Sequence, residues 1–212
     1  LLGAGLGLYG LRQPPLLDRT SERDRLWRAV VDAHGSREGA PKDVVGVIRG
    51  PAGIGRSRLL SWIGERAAEV GAAHTIFCGH SPETGAGDGI IGAVLRAARA
   101  MGLKGDALRD QLRNGFFGGF SSSGSVSDDV DALASAVERK SPLPPRERHA
   151  VLRRAFAALA QQRPVVLVID DAQWGDDALA FAKAFTDDAP PSGRKGVVVV
   201  VAVFDEAVAE RA

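Results

Sequence analysis

The sequence predicts an α/β fold, a mainly parallel sheet sandwiched between two layers of helices. Three observations predict it. Residues 164–170 (PVVLVID) and 196–204 (GVVVVVAVF) are unbroken apolar runs rich in β-branched residues, as strands covered on both faces require. Such runs alternate along the chain with stretches whose apolar residues recur at helical spacing. The chain has 212 residues, 45% hydrophobic and 25% charged, which suits one domain with a sizeable core. Aromatics are only 6%, so Ala, Val, Leu and Ile must build that core.

The elements follow in order. Residues 1–15 (LLGAGLGLYGLRQPP) are Gly-rich, lack acids and end in Pro14-Pro15; they read as a linker or the tail of a preceding domain, with the folded domain spanning 16–212. Gly5-x-Gly7-x-x-Gly10 matches a dinucleotide fingerprint, but no strand precedes it and prolines follow, so its context is wrong. The stretch also lacks the basic start and cleavage site of a signal peptide. Ser21-x-x-Asp24 resembles a capping box before a helix over 21–34, with Leu26, Ala29, Val30 and Ala33 inward and Gly35 as its stop. VVGVIRG (44–50) reads as a buried strand. Residues 58–70 form a helix with Leu59, Leu60, Ile63, Ala67 and Val70 on one face, and AHTIFCG (73–79) a second strand.

The middle is expected to hold a helix over 89–101, a Gly/Ser loop over 115–127 and a short helix over 128–139. Phe116, Phe117 and Phe120 in that loop read as a buried plug, because exposed aromatics favour aggregation. After Pro142, Pro144 and Pro145, a helix over 146–162 turns Val151, Leu152, Ala155, Phe156 and Leu159 inward. The strand at 164–170 follows, then Asp176 as the N-cap of another helix, then the strand at 196–204.

Charge and composition exclude several classes. A formal net charge of +1 leaves no broad footprint for nucleic acid or an anionic membrane. No apolar run approaches the ~20 residues of a membrane span. The single cysteine, Cys78, can form neither an internal disulfide nor a metal cage; it reads as a core residue, and a reducing, cytoplasmic setting fits. His74 and His80 have no Cys/His cluster beside them for zinc. Arg96, Arg99, Arg109 and Arg113 read as solvated helix faces. The chain opens at Leu1 with Met101 its only methionine, as expected of a piece of a longer protein.

The chemistry gathers in two stretches. The first is Gly50-Pro51-Ala52-Gly53-Ile54-Gly55-Arg56-Ser57, set between a strand and a helix. Glycines let the backbone curl and aim its N–H groups at an anion, and the helix start adds its dipole. The Ser57 hydroxyl is placed to ligate Mg²⁺, and the cation before it to reach the terminal phosphates. The phosphate-loop pattern has lysine there; this chain has Arg56. A planar guanidinium does not replace an ammonium among phosphates, which predicts that nucleotide binding survives the exchange better than hydrolysis. Gly-x4-Gly-x-Ser/Thr alone arises by chance roughly 0.3 times in a chain this rich in glycine; the flanking strand and helix give the match its weight.

The second stretch is Asp170-Asp171, closing the strand at 164–170. Ligands of open α/β sheets sit at the carboxyl ends of strands. Asp170 is the expected metal-side carboxylate and Asp171 the base that orients the attacking water. Trp174 reads as a structural anchor near them, and Asp205 as a weak candidate at the last strand's end. Phe204, where a γ-phosphate sensor could stand, has no hydrogen-bond donor.

Together GPAGIGRSRLL (50–60), RPVVLVIDDAQWGDDAL (163–179) and VVVVVAVFDEAVAER (197–211) resemble AAA+/STAND-type P-loop ATPases of the origin-recognition-like class. Such modules occur in multidomain bacterial signalling proteins, beside kinase, cyclase or transcription-regulator domains. PLLDRTSERDRLWRAV (15–30) is similar to the family's opening segment, with Asp18-Arg19-Thr20 where a Gly-Arg-Glu box is usual. The resemblance implies a P-loop NTPase three-layer sandwich, ATP and Mg²⁺ as ligands, and base-side contacts from Leu17 and Arg19. Arg58 lies within its loop motif. Relatives often carry Arg where Phe204 stands. The resemblance also implies a helical lid beyond Ala212, neighbouring domains as partners and nucleotide-dependent self-association. A Mg-ATP regulatory switch is the leading expectation. A pseudo-ATPase scaffold is the alternative. A nicotinamide-dependent enzyme ranks last, since Gly79-His80 rather than an acid end the second strand.

Overall fold

Val197 to Val203 alternate between two hydrophobic cores on opposite faces of one sheet. Val197, Val199, Val201 and Val203 enter the larger core, and Val198, Val200 and Ala202 the smaller. That alternation is the period of a strand, and the unbroken apolar run follows from having helices on both sides. The computed structural model describes residues 16–35, 39–83, 85, 88–118, 124–138, 143–175, 177–187 and 193–204. Asp176, Asp205 and Phe120 lie outside the described residues.

The elements are α1 (Thr20–His34), β1 (Val44–Gly50), α2 (Arg56–Glu69), β2 (His74–Cys78), α3 (Gly89–Ala97), α4 (Gly105–Phe117), α5 (Gly124–Glu138), α6 (Pro145–Leu159), β3 (Val165–Ile169), a 3-10 turn (Ala172–Trp174), α7 (Ala178–Asp187) and β4 (Val197–Phe204). The four strands pair in the order β1-β4-β3-β2, all parallel. Helices α1 and α2 cover the smaller core, with Leu26, Val30, Leu60 and Ile63 packed on Val166, Val168 and Val200. Helices α3 to α7 cover the other face, where Phe156 meets Phe116 and Phe181 at centroid distances of 6.1 and 6.0 Å. This is the α/β three-layer sandwich that the apolar runs predict.

Several expectations are corrected. β1 is an edge strand among the described residues, with Val47 56% exposed, so it is half-buried rather than buried. Its apolar residues are covered on one flank only, which period-free hydrophobicity cannot reveal. Phe116 and Phe117 are buried, as the plug reading expects, but they end helix α4, which the glycines of that stretch concealed. Packing against α5 and α6 outweighs the low helix propensity of Gly105 and Gly115. No capping box forms at α1: its N-cap is Arg19, in the left-handed region, and Ser21 Oγ bonds Glu22 instead. Helix α2 begins at Arg56, directly off the loop, α5 already at Gly124, and α3 ends at Ala97. Trp174 is 51% exposed and anchors no core. Cys78 is buried as expected, and burial pushes its thiol up to about 12.

At the amino ends of the strands a buried ion pair sets the frame. Arg194 Nη1 and Nη2 donate to Asp43 Oδ1 and Oδ2 over 2.9 and 2.7 Å, and Val197 N donates to the same carboxylate. The residue before β1 is thereby clamped to the start of β4.

Candidate functional site

Because the sheet is parallel, every strand's carboxyl end emerges on one edge. Gly50 ends β1 and Asp170 follows β3, with β4 alone between those strands. Two inter-strand spacings, about 10 Å, therefore separate the strands that carry the loop and the acids. Both stretches singled out in the sequence lie at that edge.

The loop turns from β1 into α2 within residues 51–55. Gly53 and Gly55 have φ of +78° and +92°, and a Cβ on either would meet nothing within 4 Å. The glycines are needed for the left-handed backbone, and the space beside them is open. Ile54 is 43% exposed, and Pro51, Ala52 and Ser57 are exposed too. Ser57 is the second residue of α2. Helix bonding starts with Leu59 N donating to Gly55 O over 3.0 Å, so the earlier amides of α2 have no helical acceptor.

Arg56 folds back across the loop. Its Nη1 donates to Gly50 O and Pro51 O, and its guanidinium carbon lies 3.9 Å from the centroid of the Phe204 ring. Only 9% of the residue is exposed. Arg19 reaches the loop from the opening segment, Nη2 donating to Ile54 O over 3.1 Å while Nη1 holds Glu22. Bonds from Ser21 and then Arg19 hold the half-buried Glu22 carboxyl down at about 2. Leu17, 77% exposed, lines with Arg19, Ile54, Arg56 and Arg58 a cleft of about 600 Å³ beside β1. Arg58 also pairs with Glu65 at 3.7 Å.

The acidic turn is tied on several sides. Asp170 N donates to Cys78 O, and Asp171 N to Asp170 Oδ1 over 3.0 Å. Asp171 has φ of 52°, uncommon for a non-glycine residue and typical of a site over-determined by its neighbours. Gln173 Nε2 donates to Asp171 Oδ1 over 3.0 Å. The His80 ring sits against Gly175 with Nδ1 3.2 Å from Asp170 O; a carbonyl only accepts, so Nδ1 carries the proton. Further along, Asp177 accepts from Arg148 and His149, tying α6 to the chain just past the turn. Gln173, His80 and Asp177 were not legible as site residues. Gln173 and Asp177 sit within seven residues of Asp170, so proximity was the available signal; His80 joins only through the β2–β3 pairing.

These features define a class: a phosphate-loop nucleotide-binding fold, with a glycine-rich loop after the first strand and carboxylates after the third. A family model described as AAA ATPase domain matches residues 16–200, and the chain belongs to that family. ATP or ADP binding and ATPase-type chemistry are what this membership supports. No curated protein and no solved structure matches the chain.

The donor set fits a metal-bound nucleotide. The hollow beside Gly53 and Gly55, which side chains would fill, suits phosphates, and hydroxyl and carboxylate oxygens are the ligands that Mg²⁺ takes. Among the described residues no group of three or more His, Cys, Asp or Glu could by itself hold a metal, and no helix is long and apolar enough to cross a membrane.

Proposed function

We propose that this domain binds Mg-ATP and hydrolyses it as a regulatory switch within a larger cytoplasmic signalling protein. The observation that carries the reading is the common edge: loop and acids leave the same side of the sheet, with one strand between them. Amide N–H groups of residues 50–57, which Pro51 alone lacks, bind the polyphosphate, and the exposed Ser57 hydroxyl with Asp170 holds the metal. Mg²⁺, when bound, supplies charge neutralisation for the terminal phosphates. Asp171 orients the attacking water and accepts its proton; Gln173 and the backbone of its turn fix that carboxylate. Leu17, Arg19 and the cleft beside them take the base. The switch role, and neighbouring domains as its partners, rest on the resemblance of the loop, the acidic strand end and the opening segment.

Calorimetric titration with ATP, ADP and GTP, with and without Mg²⁺, tests the binding half. The reading expects Mg-dependent ATP binding, and no heat with any nucleotide overturns it. A phosphate-release assay tests the other half: Asp171→Ala should lower turnover by about 10²-fold or more while ATP still binds.

One observation favours a second reading, a nucleotide-binding scaffold without turnover. Arg56 is engaged with the carbonyls of Gly50 and Pro51 and with the Phe204 ring, an arrangement built for holding rather than for following charge during a reaction. ATP binding without phosphate release in the parent protein selects it.

A further inference from the structure

Arg56, which stands where the phosphate-loop pattern has lysine, is in contact with Phe204 at the end of β4. Gly50 and Phe204 are register partners on adjacent parallel strands. The last residue of β4 therefore stands beside the residue that opens the loop, and its ring lies under the Arg56 guanidinium at 3.9 Å. Resting on the reading of this loop as a polyphosphate site, we infer that Phe204 is a positioning residue for Arg56. The pair together replaces the loop lysine.

A guanidinium has five N–H donors in one plane and two open faces. Stacking a ring on one face consumes no donor and fixes the plane. Nη1 then holds the carbonyls of Gly50 and Pro51, and the other N–H groups are left for an anion. A lysine would need no such platform, because an ammonium is a compact charge without a plane to orient. An arginine in the same place, with more conformers and a wider head, does.

The charge balance points the same way. Arg56 is more than nine-tenths buried, and among the described residues it forms no ion pair. Its partners are two neutral carbonyls and a ring. Among the described residues this buried cation has only neutral partners, so it favours an added anion, here beside loop amides that also attract anions. A polyphosphate is the anion of matching size and charge. Phe204 thus does not stand as a lost sensor; it shapes binding through Arg56.

A double-mutant cycle tests this in the whole chain, read by calorimetry with Mg-ATP and with inorganic tripolyphosphate as a base-free probe. Phe204→Leu should weaken both ligands about five-fold, the scale of one partly buried cation–π contact. Phe204→Tyr, which keeps the ring, should stay within about two-fold of the parent. In an Arg56→Ala background, Phe204→Leu should change nothing further. Equal losses with leucine and tyrosine, an undiminished leucine effect without Arg56, or tighter binding in Phe204→Leu overturns the inference while the parent still binds. No binding of either ligand to the parent overturns the loop reading itself, and the inference with it. If Arg56→Ala abolishes measurable binding, the tyrosine–leucine comparison decides. Thermal melts accompany each variant, and Phe204→Met substitutes if the leucine variant does not fold.

Discussion

Gln173 donates its side-chain amide to the carboxylate of Asp171 over 3.0 Å, and it does so from a nearly closed position, only 6% exposed. Among the described residues its own Oε1 is buried without a hydrogen-bond partner. An orphaned buried acceptor is costly, so the turn Asp171–Trp174 spends stability to keep one carboxylate oriented. Such a cost supports the proposed role of Asp171 over that of a plain strand-to-helix turn.

Gln173→Leu keeps the volume and removes the donor. Phosphate release should fall about ten-fold while Mg-ATP affinity stays within about two-fold. Parallel losses of both would mean that Gln173 merely supports the fold.

The fit between His80 and Gly175 makes a second test. A Cβ at Gly175 would run into the His80 ring, although the backbone there, with φ of −110°, accepts any residue. Gly175→Ala should therefore cost about 1–3 kcal/mol by overpacking. Adding His80→Ala should restore most of that loss. If the double variant melts no higher than Gly175→Ala, the ring is not the obstacle.

Removal of the carboxylate at position 43 should be far more damaging than most single changes. Asp43→Ala strands the buried Arg194 guanidinium and the Val197 amide together. A broken buried pair costs about 3–5 kcal/mol, or a melting temperature lower by about 10 °C in a chain of this size. Asp43→Asn keeps the acceptor for Val197 and should lose less. A change within about 1 kcal/mol for Asp43→Ala excludes the clamp.

Cys78 gives stability a defined pH dependence. Its thiol ordinarily ionises at 9.0, and burial raises that to about 12 in the folded protein. The native state thus keeps its proton where the unfolded chain has lost one. The contribution is complete below pH 9 and disappears as the pH climbs from 9 to 12. Denaturant unfolding should show the parent losing about 2 kcal/mol more than Cys78→Ala between pH 8 and 10.5. Equal losses in both proteins refute the assignment.

Local patterns account for much of what was legible. β3 and β4 were readable because strands buried on two faces tolerate no polar residue, leaving runs such as VVLVI and VVVVVAVF. The loop was readable because positive φ at Gly53 and Gly55 demands glycine at fixed spacing. Helix α4 was not: its glycines argue against helix locally, and Leu108 and Leu112 make it stable only through burial against α5 and α6. The half-exposed β1 was misread because burial depends on neighbours that a strand's own residues do not name.

The chain's local chemistry, then, determined the α/β layering, the position of the phosphate loop and the acidic pair after β3, since each is a demand on consecutive residues. Tertiary structure alone decided that Phe204 lies under Arg56, that His80 backs the Asp170 carbonyl and that Asp43 clamps Arg194 across 151 positions. Such contacts arise from the order and register in which the parallel strands pair. That pairing is a collective outcome of packing both sheet faces at once, which no short segment encodes.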